Sequence, residues 1–225
     1  SARDNWLDVA GFLQASMLVA PLVVYGTAAL EAWLLPDMAG RWADTPWWLQ
    51  VLAFLVFEDM VQYWWHRASH TFAWMWPAHK FHHTSGYMGV RMVWRNGFFY
   101  DLSLPNLWFA GILVYLGFGE VYAWYYLTKV VVQMGAHSEL RWDSVLYRYR
   151  ALHPLAWVVE RTISTPATHF AHHALSEDDG IGHYNGNYGN LVTLDHGFGL
   201  GFLRWITGRR KRVLGGRDAA KQDDT

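Results

Sequence analysis

The sequence contains no cysteine. Disulfides are thereby excluded, and so is every metal site built on thiolate, which leaves nitrogen and oxygen as the strong ligands the chain can offer. Net charge is nearly absent as well: 18 Lys and Arg stand against 19 Asp and Glu, a formal −1. Without a basic excess the electrostatic footprint of a nucleic-acid binder is missing, and nucleic acid is not an expected partner. Ser1 to Asn5 lacks the basic segment and the small-residue cleavage site of a secretory leader, so no signal peptide is expected there. Repeats are missing too, apart from one duplicated histidine pattern.

Aromatic residues are abundant instead. Fifteen Trp and twelve Tyr exceed what an ordinary soluble domain uses, and amphipathic rings of this kind collect at membrane interfaces. Mean hydropathy is close to zero, so only part of the chain can lie in lipid. Residues 6–35 are apolar apart mainly from Asp8, Gln14 and Glu31, and predict a first membrane span. After a Pro/Gly/Asp turn, residues 47–65 predict a second span that runs straight into His66. Residues 66–105 are aromatic and basic without being continuously apolar, and predict short amphipathic helices lying against the membrane. Residues 107–137 are apolar again but broken at Gly117–Phe118–Gly119–Glu120, and predict a hairpin that enters and returns. The expected fold is therefore all-α and polytopic, with about four membrane helices capped by a histidine-rich helical domain. One domain is expected over residues 1–214, followed by a polar, disordered tail over 215–225. Eleven of the eighteen Lys and Arg follow His137, including Arg209–Arg212, which puts that end and the histidines on the cytoplasmic side.

The histidines carry the chemistry. His66 and His70 are four apart, and the spacing i, i+3, i+4 occurs twice, at His79, His82, His83 and at His169, His172, His173. With twelve His in 225 residues, roughly 0.03 such triplets are expected by chance. Those offsets place each triplet on one helix face, within reach of one small ion. Adding His137 gives nine imidazoles, more than a four-ligand structural site uses and suited to two ions with four or five nitrogens each. Nine rings packed without a metal would leave many buried donors and acceptors to satisfy. Imidazole accepts iron, copper, nickel or zinc, so the ligand type does not choose the metal. Asp59 precedes His66 by seven residues, on the same face, where it can accept a hydrogen bond from an imidazole. Lys129, inside the hairpin, reads as snorkelling or pairing with a carboxylate, with a substrate headgroup as the third option. His153 and His196 read as loop or surface residues, and His183 as a candidate for lining the site.

These residues resemble the membrane fatty acid hydroxylase and sterol desaturase superfamily, whose pattern is an HxxxH or HxxxxH box followed by two HxxHH boxes, here HRASH, HKFHH and HFAHH. The pattern is most similar to the alkylglycerol monooxygenase branch: an aspartate seven residues before the first box (Asp59), a QxxxH element (Gln133 to His137), a Glu followed five residues later by Thr–Pro (Glu160, Thr165, Pro166), and Asn187–Tyr188–Gly189 with Asp195 beyond. Phe198–Gly199–Leu200 departs from the family's Phe–Gly–Thr. The resemblance implies an integral membrane oxygenase with two iron ions held by the nine histidines. Gln133 matches a position that elsewhere is histidine or water-bridged asparagine, and Asp59, Glu160 and Asp195 match supporting positions. It further implies O₂ as oxidant, a lipid substrate, and electrons from a separate redox partner or a reduced pterin, with zinc able to replace iron on purification.

Hydroxylation of a lipid C–H bond is the expected reaction, and desaturation on the same centre is the alternative. A zinc-dependent membrane hydrolase is a weaker rival, because it needs three ligands and an open position rather than nine histidines. A metal transporter would spread ionisable residues through the depth of the spans, whereas here they gather at one end.

Overall fold

Long apolar segments can satisfy their backbone in lipid only as helices or closed barrels, and this chain takes the first route. The computed structural model describes residues 2–85 and 87–173, and no strand occurs among them. Helix α1 (Ala2–Phe12) passes through a π-helical stretch, Leu13–Val19, into α2 (Ala20–Leu34). The apolar part, Asp4–Leu34, spans 31 residues, about 46 Å at the α-helical rise and longer than the ~30 Å of a hydrocarbon core. At its start the helix is tied to the segment over residues 87–95: Arg95 reaches Asp4 at 2.8 Å and Asp8 at 3.5 Å, and the Tyr87 hydroxyl donates to Asp8. Gly11 permits this approach, since a Cβ there would stand 2.5 Å from the Trp94 carbonyl oxygen.

After a tight loop, α3 (Trp47–Phe54), a π-helical stretch (Leu55–Asp59) and α4 (Met60–Thr71) form one continuous helix that delivers His66 and His70. Short helices α5 (Trp76–His83) and α6 (Phe98–Ser103) follow, with a 3₁₀ turn, Val90–Trp94, between them. Next come α7 (Pro105–Leu113), a stretch Val114–Phe118, and α8 (Gly119–Ala136). Pro105–Ala136 is also long and apolar enough to cross a membrane, but Gly117 breaks it with φ +114°. Asn106 and Lys129, on either side of Gly117, both bond to Glu58, so the two arms fold back on one another. The tip of this hairpin lies against the loop after α2, through Gly40 N–H to Tyr115 O and Trp42 N–H to Leu116 O, each 2.9 Å. Phe54, Leu113, Phe118 and Tyr125 pack together between the arms and α3.

Two stretches among the described residues are thus long and apolar enough to cross a membrane, and only 22% and 28% of their apolar windows are buried. Core helices of a soluble protein hide such surfaces. Here Tyr25, Trp33 and Trp124 project outward, as suits contact with lipid. Three further helices complete the described chain: α9 (Ser144–Arg148), α10 (His153–Thr162) and α11 (Pro166–His172). His183, Asp195, His196, Phe198–Leu200, Arg209–Arg212 and the tail over 215–225 lie outside the described residues.

Candidate metal centre

Each histidine is delivered by a helix end. His66 and His70 sit one turn apart on the last turns of α4. Pro77, in the first turn of α5, starts the short helix that carries His79, His82 and His83. Helix α8 stops at His137, whose Nδ1 donates to the Gln133 carbonyl at 2.8 Å. Helix α11 is set by a reciprocal cap: the Thr165 hydroxyl accepts from Thr168 N–H while the Thr168 hydroxyl accepts from Thr165 N–H, with Pro166 at the helix start. Asp143, fully buried, accepts from Ala167 N–H at 2.6 Å and from Arg141 at 3.1 Å, holding that helix start from outside.

All nine histidines are buried, and they meet as two groups within which the ligand atoms all lie inside 4.8 Å of one another. One group is His66, His70, His79, His83 and His172; the other is His82, His137, His169 and His173. The triplets are therefore split, which corrects the expectation of one triplet for one ion. His79 and His83 join the first group and His82 the second, while His169 and His173 join the second and His172 the first. The reason is helical geometry: residues four apart nearly eclipse, whereas adjacent residues diverge by about 100°.

Within each group the Nε2 atoms converge. His66 lies 3.2 Å from both His70 and His172, and His79 lies 3.1 Å from His83. In the second group, His137 lies 3.2 Å from His82 and 2.9 Å from His169, which is 3.1 Å from His173. Two nitrogens bonded at about 2.1 Å to one ion stand roughly 3.0 to 3.4 Å apart at cis-octahedral to tetrahedral angles. Hydrogen bonding between neutral rings does not account for the second group. With Nδ1 donating to Gln133, neutral His137 keeps one lone pair on Nε2, and that lone pair faces two other rings. It can accept one proton in good geometry, so one of the close contacts stays unsatisfied unless a cation sits among the lone pairs. Burial first, and then the neighbouring imidazoles, hold His79, His82, His83, His137, His172 and His173 well below the ordinary histidine pKa, which keeps the rings neutral and able to ligate. The donor set fits a pair of transition-metal ions, and among the described residues neither group includes a carboxylate.

Around the histidines lies an aromatic and polar shell. Tyr100 stacks on His79 at 4.6 Å, and Trp76 stands 5.3 Å from His70 and 5.4 Å from His83. A cavity of about 130 Å³ reaches His66 and His79 of the first group and His82, His137 and His169 of the second. Gln133 lines it with its side chain half-buried. Lys129, Glu58 and Asp59 form a buried ionic cluster at the same cavity's edge: Glu58 pairs with Lys129 and accepts from Tyr125 at 2.7 Å and Asn106 at 3.0 Å, while Asp59 lies 3.6 Å from Lys129. Of the three readings of Lys129, pairing with carboxylates is the one observed. Glu160 is buried and accepts from Tyr147 at 2.6 Å; burial raises its carboxyl and that bond partly offsets the rise. His153 opens α10, with its ring facing the Tyr147 carbonyl at 3.4 Å and outside both groups.

The fatty acid hydroxylase family model matches residues 51–200. The chain belongs to this family. Comparison with curated proteins and with solved structures finds no significant match. Membership in the fatty acid hydroxylase and sterol desaturase superfamily makes the chain an oxidoreductase of lipid-hydroxylase type, and the two histidine groups are compatible with the metal dependence of that family. Sequence reasoning passed over Asn106, Tyr100, Trp76 and Asp143. Only Asn106 carried a local signal, as the lone polar side chain at the opening of an apolar arm.

Proposed function

We propose that the protein is a membrane-bound diiron oxygenase that uses O₂ and external electrons to hydroxylate a C–H bond of a lipid. The observation that carries this reading is the meeting of nine buried imidazoles as a group of five and a group of four beside one cavity. His66, His70, His79, His83 and His172 would hold one iron, and His82, His137, His169 and His173 the other. A bound iron pair would supply the O₂ activation and C–H oxidation that no side chain can perform.

The chain's own residues do the rest. The Gln133 carbonyl fixes the His137 tautomer, so that Nε2 presents its lone pair inward. Tyr100 and Trp76 shield the five-histidine group from water. Ala15, Ser16 and Ala20 give the cavity a wall of small side chains on the first helix, where an acyl or alkyl chain enters from the bilayer. Asp59, Gln133 and Glu160 support the centre from outside the two groups, and Asp195 and His183 are proposed for the same neighbourhood. In the membrane, the first helix, the α3–α4 helix and the two arms of the hairpin would make four passes in one domain over residues 1–214. Contact of the hairpin tip with the loop after α2 supports that depth. The basic run Arg209–Arg212 favours a cytoplasmic metal centre.

The sequence pattern favours the alkylglycerol monooxygenase branch and, with it, a reduced pterin as electron donor; a separate redox protein is the other source. Desaturation would use the same centre. Metal analysis of anaerobically purified protein, paired with lipid product analysis, tests the proposal: about two irons per chain and O₂-dependent lipid oxidation are expected. Tightly held zinc with oxygen-independent turnover would instead establish the hydrolase reading.

A further inference from the structure

With no cysteine in the chain, indole and phenol rings are the side chains most readily oxidised by loss of one electron. Tyr100 and Trp76 both touch the five-histidine group, and they do so differently. Tyr100 stacks on His79 at 4.6 Å between ring centroids and lines the cavity, whereas Trp76 stands 5.3 Å from His70, 5.4 Å from His83 and 6.3 Å from His79. Trp76, His79 and His83 recur at i, i+3 and i+7 along α5, so the helix face that delivers two ligands also delivers the indole. Among the described residues, neither Trp76 nor His70 nor His83 lines the cavity. Tyr100 is buried, while Trp76 is half-buried and follows closely on Trp74, which is 75% exposed. Trp76 therefore joins the ligands to the protein surface by a route that does not cross the substrate space.

We infer that Trp76 is a redox relay that discharges the site when oxygen has been activated and no lipid is in place. The inference rests on the oxygenase reading and adds to it a protective function. Dioxygen, two external electrons and two protons give one water and leave two oxidising equivalents in the site, which a lipid C–H bond normally consumes. Without lipid, Trp76 passes one electron inward and is left as an indole radical cation, and a reductant of the ascorbate or thiol class at the surface returns one electron to it. Two such rounds, with two protons taken from water, convert the remaining oxygen atom to a second water. Electron transfer weakens steeply with distance, so the indole against the ligands is oxidised ahead of more exposed rings that lie elsewhere. The same discharge spares the histidines, which hold the metal and have no replacement once oxidised.

The test treats the iron-loaded, detergent-solubilised full chain with hydrogen peroxide in the absence of lipid, since peroxide already carries the two electrons and two protons. Freeze-quench electron paramagnetic resonance is expected to show an indole radical, and peptide mass spectrometry to find oxygen added at Trp76 several-fold more than at Trp74. Trp74 is the control because an oxidant arriving from solvent meets the more exposed ring first. In Trp76→Phe the radical should vanish, and iron should be lost after fewer additions of peroxide as damage moves to the histidines. The zinc-loaded chain, which cannot change oxidation state, should be oxidised in order of exposure, Trp74 ahead of Trp76. Should Trp76→Phe fail to hold iron, the contrast between iron-loaded and zinc-loaded wild-type chain still decides. Oxidation of the iron-loaded chain that follows exposure overturns the inference, and so does a radical that survives in Trp76→Phe. Iron retention unchanged in that variant overturns it as well, because Trp76 would then only intercept local damage. The readouts need no lipid oxidation, so an iron-loaded chain that never oxidises lipid would sink the oxygenase reading and leave the relay result standing.

Discussion

The five-histidine group draws four of its rings from two neighbouring helices, α4 and α5, and one from α11, whereas the four-histidine group needs α5, α11 and the end of the hairpin arm α8. The first is assembled from i, i+4 pairs that any helix at those positions would form. The second exists only if α8 returns His137 to the place where it stands 2.9 Å from His169 and 3.2 Å from His82. The first half thus rests more on local pairing and the second more on tertiary folding, although His172 must also reach the first from α11. The dependent half also borders the cavity more fully, through three of its four rings.

Ligand removal should expose this difference most strongly. His137→Ala leaves three nitrogens in the smaller group, and metal content is expected to fall from about two ions per chain to about one, with oxidative turnover dropping more than about 100-fold. His70→Ala leaves four nitrogens in the larger group, and metal content should remain near two by elemental analysis of the same preparation. Equal metal loss in both variants would dissolve the distinction between the halves.

The next effect acts on the hairpin itself. Lys129 on α8 neutralises Glu58 and lies beside Asp59, all buried. Lys129→Met strands those carboxylates and should cost about 3 to 5 kcal/mol in detergent unfolding, whereas adding Glu58→Gln should recover part of the loss. Gly117→Ala should cost about 1 to 3 kcal/mol by the same measurement, because φ is +114° there and the new Cβ would meet Ala43 N at 2.8 Å. Both changes loosen α8 and are expected to lower metal in the smaller group before the larger.

The same asymmetry governs what could be read from the sequence. The histidine boxes were legible because helical offsets encode neighbourhood directly, and the turn at Gly117 was legible because glycine between apolar arms marks a reversal. The splitting of each triplet between two groups was not, since it requires knowing which rings of α4, α8 and α11 meet those of α5. Lys129 shows the limit in another form: a lysine inside an apolar arm announces a partner, but Glu58 and Asp59 lie some seventy residues earlier and only the fold brings them together. Asp143 gave no signal at all. Its role depends on Ala167 N–H, a backbone group with no sequence signature, at the start of a helix far along the chain.

Helix α11 supplies the finest test, because it serves both halves unequally: His172 goes to the larger group, and His169 with His173 to the smaller. Its start is held by the Thr165 and Thr168 reciprocal bonds and by Asp143. Thr165→Ala removes one cap bond and should cost about 1 kcal/mol, which loosens the helix without deleting any imidazole. The larger group would then have one of five nitrogens on a less rigid support, and the smaller group two of four. A chelator titration of the metal-loaded variant should therefore strip one ion per chain at lower chelator concentration than in the parent, while the second ion resists as before. If both ions left together, α11 would hold the two groups as one unit, and the division between a locally built half and a fold-dependent half would be geometric without being energetic.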